Sequence, residues 1–313
     1  MTGLEIDVVV PTFNGRELTA RCLEHLGQQT VANRVIVVDD ASTDGTSDML
    51  RERHPEVTVI ELERNAGFSR AVNAGIRAST AELVVLINND VECRPEFVKR
   101  ITGPLVEDSS IGMVAGLLLQ ADGERVDSLG LEVDSTLAAF PRYWGRPAGD
   151  KHLDGDGLLG PVGGAAAYRR SALEEAGGFD EAIFGYGEDV DLALRMRAAG
   201  WSCAAAPGAV GVHLGSASFG RHSPRQVYHR GWSRAYLLRK YGVAGHPVAL
   251  ARALGSEAGS VAWQLAFTRD ASGLRGRIAG WRAAHPELEV PDGVVNRRIG
   301  LFETLRRRGS YRA

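Results

Sequence analysis

Compact apolar runs alternate along the first third of the chain with stretches whose apolar residues recur at helical spacing. Ile6–Val10, Val35–Asp39, Val57–Leu62 and Leu83–Ile87 are short and rich in Val and Ile, which predicts strands. Glu17–Gln28, Thr46–Arg53 and Ser69–Ala78 lie between them. In the first of these, Leu18, Cys22, Leu23 and Leu26 form an apolar stripe of helical period. Asp44-Gly45-Thr46 and Gly67-Phe68-Ser69 supply a turn and a capping residue where the next two helices should begin. Such strand–helix alternation predicts a parallel sheet with helices on both faces, and near-continuous apolar strands suit a sheet buried on both sides. Ile111–Leu119 is a further strand-sized run, and residues 120–165, rich in Gly, Asp and Pro, should be loop with edge strands. From about 224 the pattern turns helical: Tyr228, Trp232, Ala235, Tyr236 and Leu238 share one stretch, and Val248–Phe267 and Val295–Arg308 are further helix candidates. The expected organisation is an α/β nucleotide-binding domain over 1–220 followed by a helical region over 221–313.

Composition narrows the class. The 313 residues are 44% hydrophobic, enough for a packed core and too many for a wholly disordered chain. No run approaches the roughly 18 consecutive apolar residues of a membrane span. Glu5 and Asp7, just ahead of Val8–Val10, argue against a cleaved secretory leader. Cys22, Cys93 and Cys203 are odd in number and far apart, with neither disulfide nor metal spacing, so a cytoplasmic setting is expected.

Charge is unevenly spread. Residues 1–191 hold 17 basic and 33 acidic side chains, whereas 192–313 hold 19 basic and 6 acidic. The basic half either balances the acidic one or meets an anionic partner such as phosphate or lipid headgroups. No nucleic-acid recognition motif accompanies it, so nucleic acid is not an expected partner.

In an open α/β sheet, ligands bind beyond the carboxyl ends of the strands. The polar segments at those ends are Pro11-Thr12-Phe13-Asn14-Gly15, Asp39–Gly45, Arg64-Asn65-Ala66-Gly67-Phe68 and Asn88-Asn89-Asp90, and all four should converge on one rim. Hydroxyl, amide and carboxylate groups there suit a base and a ribose, and a strand-end aspartate can hold a divalent cation. The first turn lacks G-x-G-x-x-G and no G-x-x-x-x-G-K-[ST] occurs, which disfavours a dinucleotide site and a P-loop. Downstream, Gly187-Glu188-Asp189-Val190-Asp191 places three carboxylates at a probable helix start. They are either dipole-stabilising decoration or include a general base, which the helix N-terminus would keep ionised. His213, after a short strand, is either an ordinary structural histidine or a metal or phosphate contact.

The ordered set P-T-F-N-G, V-V-D-D-A-S-T-D-G-T, R-N-A-G-F-S-R-A-V-N-A-G-I, N-N-D-V, G-G-F-D-E, G-Y-G-E-D-V-D-L-A-L-R and H-L-G-S-A-S, running from Ile6 to Ser218, resembles family-2 glycosyltransferases of GT-A fold, above all their rhamnosyltransferase-like members. The resemblance implies a Rossmann-like, mostly parallel sheet flanked by helices, with a C-terminal helical appendage. It implies an inverting, metal-dependent transfer of a sugar from a nucleoside diphosphate, with dTDP-rhamnose as the guessed donor, to a hydroxyl of a cell-surface polysaccharide or lipid-linked glycan. Pro11, Thr12, Phe13 and Asn14 would line the base and ribose, Asp40 would hydrogen-bond the base, and Asn65, Gly67, Asn73 and Asn89 would complete the nucleotide-sugar site. Asp90 would hold Mg²⁺ or Mn²⁺ on the diphosphate, with His213 completing that site. Asn88 stands where the family's first metal-binding acid is expected. Asp189, beside Glu188, matches the catalytic base, and Gly163, Gly164 and Ala165 resemble the acceptor-facing loop. A sugar nucleotidyltransferase and a non-catalytic sugar-nucleotide or glycan-binding protein are the alternatives.

The C-terminal region gains a role on this reading. Arg221, Arg225, Arg230, Arg234, Arg239 and Lys240 alternate with Tyr228, Trp232, Tyr236 and Tyr241, and the final helix joins Leu301, Phe302 and Leu305 to Arg306-Arg307-Arg308. Basic residues interleaved with apolar ones suit a peripheral contact with an anionic membrane on its cytoplasmic face. Packing on the catalytic domain or in a homodimer is the competing expectation.

Overall fold

A computed structural model describes residues 4–154, 157–215, 223–267 and 269–310. In chain order the elements are β1 (Ile6–Thr12), α1 (Arg16–Leu26), β2 (Arg34–Asp39), α2 (Thr46–Arg53), β3 (Thr58–Glu61), α3 (Phe68–Ala78), β4 (Leu83–Ile87), β5 (Val91–Cys93), α4 (Phe97–Glu107), β6 (Ile111–Leu119), β7 (Val126–Ser128), β8 (Leu131–Val133), β9 (Ala139–Pro141), β10 (Ala165–Arg169), α5 (Arg170–Glu175), α6 (Glu188–Ala198), β11 (Ser202–His213), α7 (Pro224–Lys240), α8 (Pro247–Phe267), α9 (Ser272–Ala283) and α10 (Leu301–Ser310). The early strands and helices stand within a residue or so of where the apolar periodicity puts them.

The main sheet runs β3-β2-β1-β4-β10-β6-β11-β5, with β7 on β6. β1 to β4 are parallel, as strand–helix alternation requires. β10 then enters antiparallel between β4 and β6, so the sheet as a whole is mixed. That reversal brings the start of β10 to the rim where β4 ends, and Asn88 N–H donates to Gly164 O across it at 3.3 Å. β11 lies parallel to β6 and ends level with it, Val212 pairing Leu119. Two large apolar clusters cover the two faces of the sheet. One is built on Val8, Val10, Val85 and α4, the other on Val9, Val84, Leu86 and α6.

The C-terminal helices pack against this body. Leu237, Leu238 and Tyr241 of the α7 end belong to the same core cluster as Val9 and Leu86. Residue 220 therefore marks a change of composition and not a gap in packing. α9, not among the helices expected from the sequence, lies close against α7. A Cβ on Gly276 or Gly280 would strike the α7 backbone carbonyls of Tyr228 and Trp232, so glycine is what allows the approach. The last helix begins later than expected, at Leu301, because Val295 instead bridges to Val133 and Asn296 N–H donates to Val133 O. Among the described residues no helix is long and apolar enough to cross a membrane.

Candidate active site

All four strand-end loops open on one cavity of about 430 Å³. β1 contributes Pro11, Thr12 and then Phe13. The β2 end contributes Asp40, the loop before α3 contributes Asn65 and Gly67, and the β4 end contributes Asn88, Asn89 and Asp90. Gly163 and Gly164 ahead of β10, Glu188 and Asp189 at the start of α6, and His213 at the end of β11 complete its lining. Asp90 and Asp189, far apart in sequence, line the same cavity.

Much of the polar chemistry at the β1 side holds the rim in shape. Asn89 Nδ2 donates to the hydroxyls of Thr12 (3.0 Å) and Thr19 (3.2 Å). Asp40 accepts from the backbone N–H groups of Ala66 (2.6 Å) and Gly67 (2.9 Å), tying the β2 end to the α3 loop. Burial raises the Asp40 pKa against the pull of those two donors. Gly67 has φ +92°, and a Cβ there would lie 2.5 Å from Phe184 O, so this turn accepts glycine only.

Three sequence-derived residues fall outside the cavity wall. Asn14 is exposed and joins two loops: its N–H donates to Ser42 Oγ and its Oδ1 accepts from Thr43 N–H. Asn73 is buried on α3, where its amide exchanges hydrogen bonds with the backbone of Phe179, pinning the loop ahead of α6. Ala165 is fully buried and paired with Ile87 in the sheet. Polarity in a motif cannot separate a ligand contact from a loop staple, since both use the same amide.

Helix α6 follows Tyr186 (φ 68°) and Gly187 (φ 94°), two left-handed residues in succession. Tyr186 is bulky there, a strained conformation of the kind found at functional sites. Asp189 accepts from Val190 N–H at 2.8 Å, and the Gly163 backbone also favours its charge. Glu188 is buried, and its Oε2 has no hydrogen-bond partner. The helix N-terminus favours the ionised form of these acids, and Asp189, with a pKa of about 6, stays mostly ionised at neutral pH. Desolvation outweighs the backbone hydrogen bonds and raises both pKa values, that of Glu188 further because the Asp189 charge adds to it.

His213 sits between two carboxylates. Its Nε2 is 3.2 Å from Asp90 Oδ2 and its Nδ1 is 3.0 Å from Asp127 Oδ2. Burial disfavours its charge, but the hydrogen bonds to Asp127 and Asp90 prevail and raise its pKa to about 10. Asp90 Oδ1 and Asn88 Oδ1 are buried without a partner. Among the described residues no three His, Cys, Asp or Glu side chains converge as a metal-ligand group.

Asp127, Tyr186 and Arg230 also line the cavity, and sequence reasoning assigned none of them to it. Asp127 stands in a stretch expected to be loop, and nothing local to it signals a histidine on another strand. Arg230 was read with the basic α7 series. That series is engaged with the rest of the protein: Arg225, exposed, donates to Asn65, Arg230, also exposed, lies over the Tyr186 ring, Arg234 pairs with Glu257, and the buried Lys240 pairs with Asp180 and Asp191. Arg221 and Ser216–Ser218 lie outside the described residues.

Comparison with known proteins follows the same outline. Residues 7–177 match the family model described as "Glycosyl transferase family 2". The chain is 28% identical over 240 residues to an N-acetylglucosaminyl-diphospho-decaprenol L-rhamnosyltransferase of Mycobacterium tuberculosis, covering 65% of this chain and 78% of that protein. It is 30% identical over 224 residues to an N-acetylglucosaminyltransferase of Bradyrhizobium diazoefficiens, covering 66% of this chain and 44% of that one. Among solved structures, a mannosyltransferase of Pyrobaculum calidifontis in complex with GDP-Man and Mn²⁺ superimposes with a TM-score of 0.53 at 20% identity, covering 90% of this chain and 88% of that one. S. aureus TarS 1-349 gives 0.54 at 18% identity, over 99% and 91%.

Proposed function

Since this chain belongs to glycosyl transferase family 2 and is a glycosyltransferase of GT-A fold, we propose that it transfers a sugar, with dTDP-rhamnose the first donor to test, from a nucleoside diphosphate to a glycan hydroxyl with inversion. The single observation that carries this reading is that Asp90 and Asp189 line one cavity. The Mycobacterium tuberculosis relative, named for rhamnosyl transfer to a diphospho-decaprenol-linked N-acetylglucosamine, supports rhamnose and a lipid-linked acceptor.

Pro11, Thr12, Phe13 and Asn65 line the donor side, with Asp40 and Asn89 holding the loops that carry them. Gly163 and Gly164 leave room for the acceptor beside Glu188, since a Cβ on Gly163 would press on Phe68 and approach Glu188 Oε1. Asp189 acts as the base. Of these two neighbouring acids, Glu188 buried and Asp189 half-buried, the one with the lower pKa ionises first and the other stays protonated, which separates their tasks. The acceptor oxygen bonds to the anomeric carbon as the bond from that carbon to the diphosphate oxygen breaks. Its proton passes to Asp189, and the nucleoside diphosphate leaves with the electron pair. One displacement needs no enzyme nucleophile.

The residues present also fit a divalent cation: Asp90 Oδ1 is a buried carboxylate oxygen without a partner, Asn88 Oδ1 is another unpartnered acceptor, and His213 Nε2 faces Asp90. Asp90 and His213 would hold Mg²⁺ or Mn²⁺, which when bound supplies positive charge for the departing diphosphate. The nucleotidyltransferase and non-catalytic alternatives gain no support from this cavity.

A peripheral contact with an anionic membrane belongs to the same reading but shifts its location. α7 is engaged with the catalytic body, whereas Val248 (75% exposed) at the start of α8 and Phe302 (82%) on α10 are open, and Val248 shares a surface hollow with Arg252 and Leu301.

Release of nucleoside diphosphate from a panel of sugar nucleotides, with and without Mn²⁺, tests the proposal. Asp90→Ala should lose cation-dependent donor binding. Turnover of no donor by a folded, Mn²⁺-supplemented protein would overturn it.

A further inference from the structure

β7 and β11 flank the end of β6, β7 antiparallel to it and β11 parallel. Side chains alternate between the faces of a strand. Val126 and Val212 point to one face, where they join Leu117 and Leu119 in a small apolar cluster. Their neighbours Asp127 and His213 therefore point to the other face, and both line the cavity. The sheet register brings together two residues that lie 86 positions apart in sequence.

We infer that Asp127 is a positioning residue for the cation site: it accepts the Nδ1 proton of His213 and so aims Nε2 at Asp90, where an ion held by Asp90 would take the place of the Nε2 proton. This rests on the cation reading above. The geometry is specific. Asp127 Oδ2 lies 3.0 Å from Nδ1, while the other ring nitrogen lies 3.2 Å from Asp90. The two nitrogens of an imidazole point away from each other, so a carboxylate bonded to Nδ1 does not reach an ion on Nε2. A neutral histidine carries one proton, and whichever nitrogen holds it cannot ligate. A carboxylate at Nδ1 draws the proton there, fixes the ring plane and increases the basicity of the ligating nitrogen, as outer partners of metal-bound histidines do. With Asn88 in place of a second acid beside Asp90, the site has few anionic donors, and the quality of its histidine ligand matters more.

The test is Mn²⁺ binding by the full chain, read as free Mn²⁺ by electron paramagnetic resonance, alone and with dTDP, UDP or GDP. The variants are Asp127→Ala, Asp127→Asn, His213→Ala and the Asp127→Ala/His213→Ala double variant, each checked for native melting. Asp127→Ala should weaken Mn²⁺ by about 10–100-fold. Asp127→Asn should recover part of that, because its amide oxygen still accepts from Nδ1. In the His213→Ala background, Asp127→Ala should add nothing, since its effect passes through the ring. Unchanged affinity in Asp127→Ala overturns the inference, as does a full additional loss in the double variant, which would make Asp127 a ligand in its own right or a purely structural residue. Failure of the wild type to bind Mn²⁺ with any of these nucleotides would instead sink the cation reading beneath it.

Discussion

Lys240, the last residue of α7, places its Nζ 2.7 Å from Asp191 Oδ1 on α6, two residues after Asp189. The same ammonium lies 2.7 Å from Asp180, and Tyr241 donates to Asp191 at 3.0 Å. The helical region thus grips the first turn of the helix that carries the proposed base. Breaking one partner of a buried ion pair costs about 3–5 kcal/mol because the other charge is left desolvated. Lys240→Ala should accordingly lower unfolding free energy by about 3 kcal/mol in urea titrations. A chain ending at residue 220 should not yield a stable catalytic unit, which limited proteolysis and expression would establish.

Asp189 must be ionised to take a proton, and burial raises its pKa. The acid limb of the rate profile should therefore lie above the ordinary aspartate range, with activity rising as pH rises through it. Asp189→Asn should reduce turnover by about 10²–10⁴-fold while sparing donor affinity, measured by initial rates and by titration of the nucleotide. A parallel loss of donor affinity would assign Asp189 to binding.

Glu188 also has a folded pKa above its unfolded one. The native state then holds a proton that the unfolded chain releases, so stability falls as pH climbs from the ordinary carboxylate range through the raised value. Glu188→Gln removes that penalty. The variant should be more stable than wild type at about pH 8, and the difference should close toward about pH 4, where both states are protonated. Equal melting-temperature differences at the two pH values would contradict it.

Gly67→Ala tests the donor loop. The left-handed backbone and the close approach of Phe184 O leave no room for a methyl group. The loop should shift, with a loss of about 1–3 kcal/mol and weaker nucleotide binding, read by thermal melting with and without dTDP or UDP.

Phe302→Glu and Val248→Glu test the membrane contact. Both side chains are open, so neither change should alter melting. Flotation with vesicles containing anionic lipid should fall for each. Unchanged flotation would remove α8 and α10 from such a role.

The strands from Ile6 to Ile87 and their helices were legible because local period decides them: buried parallel strands need unbroken apolar runs, and helices need one apolar stripe. The strand-end loops were legible as a site for the same reason, since parallel strands carry their ends to one rim. Asp90 and Asp189 followed from motifs. What no local pattern encodes is which distant strands become neighbours. The antiparallel entry of β10, the engagement of α7 through its buried Lys240, the glycine seam of α9 and the meeting of Asp127 with His213 depend on pairings distant in sequence. Tertiary structure alone also decided charge: a helix start favours ionised acids, yet the desolvation that raises the pKa of Glu188 and Asp189 exists only once the cavity walls have closed around them.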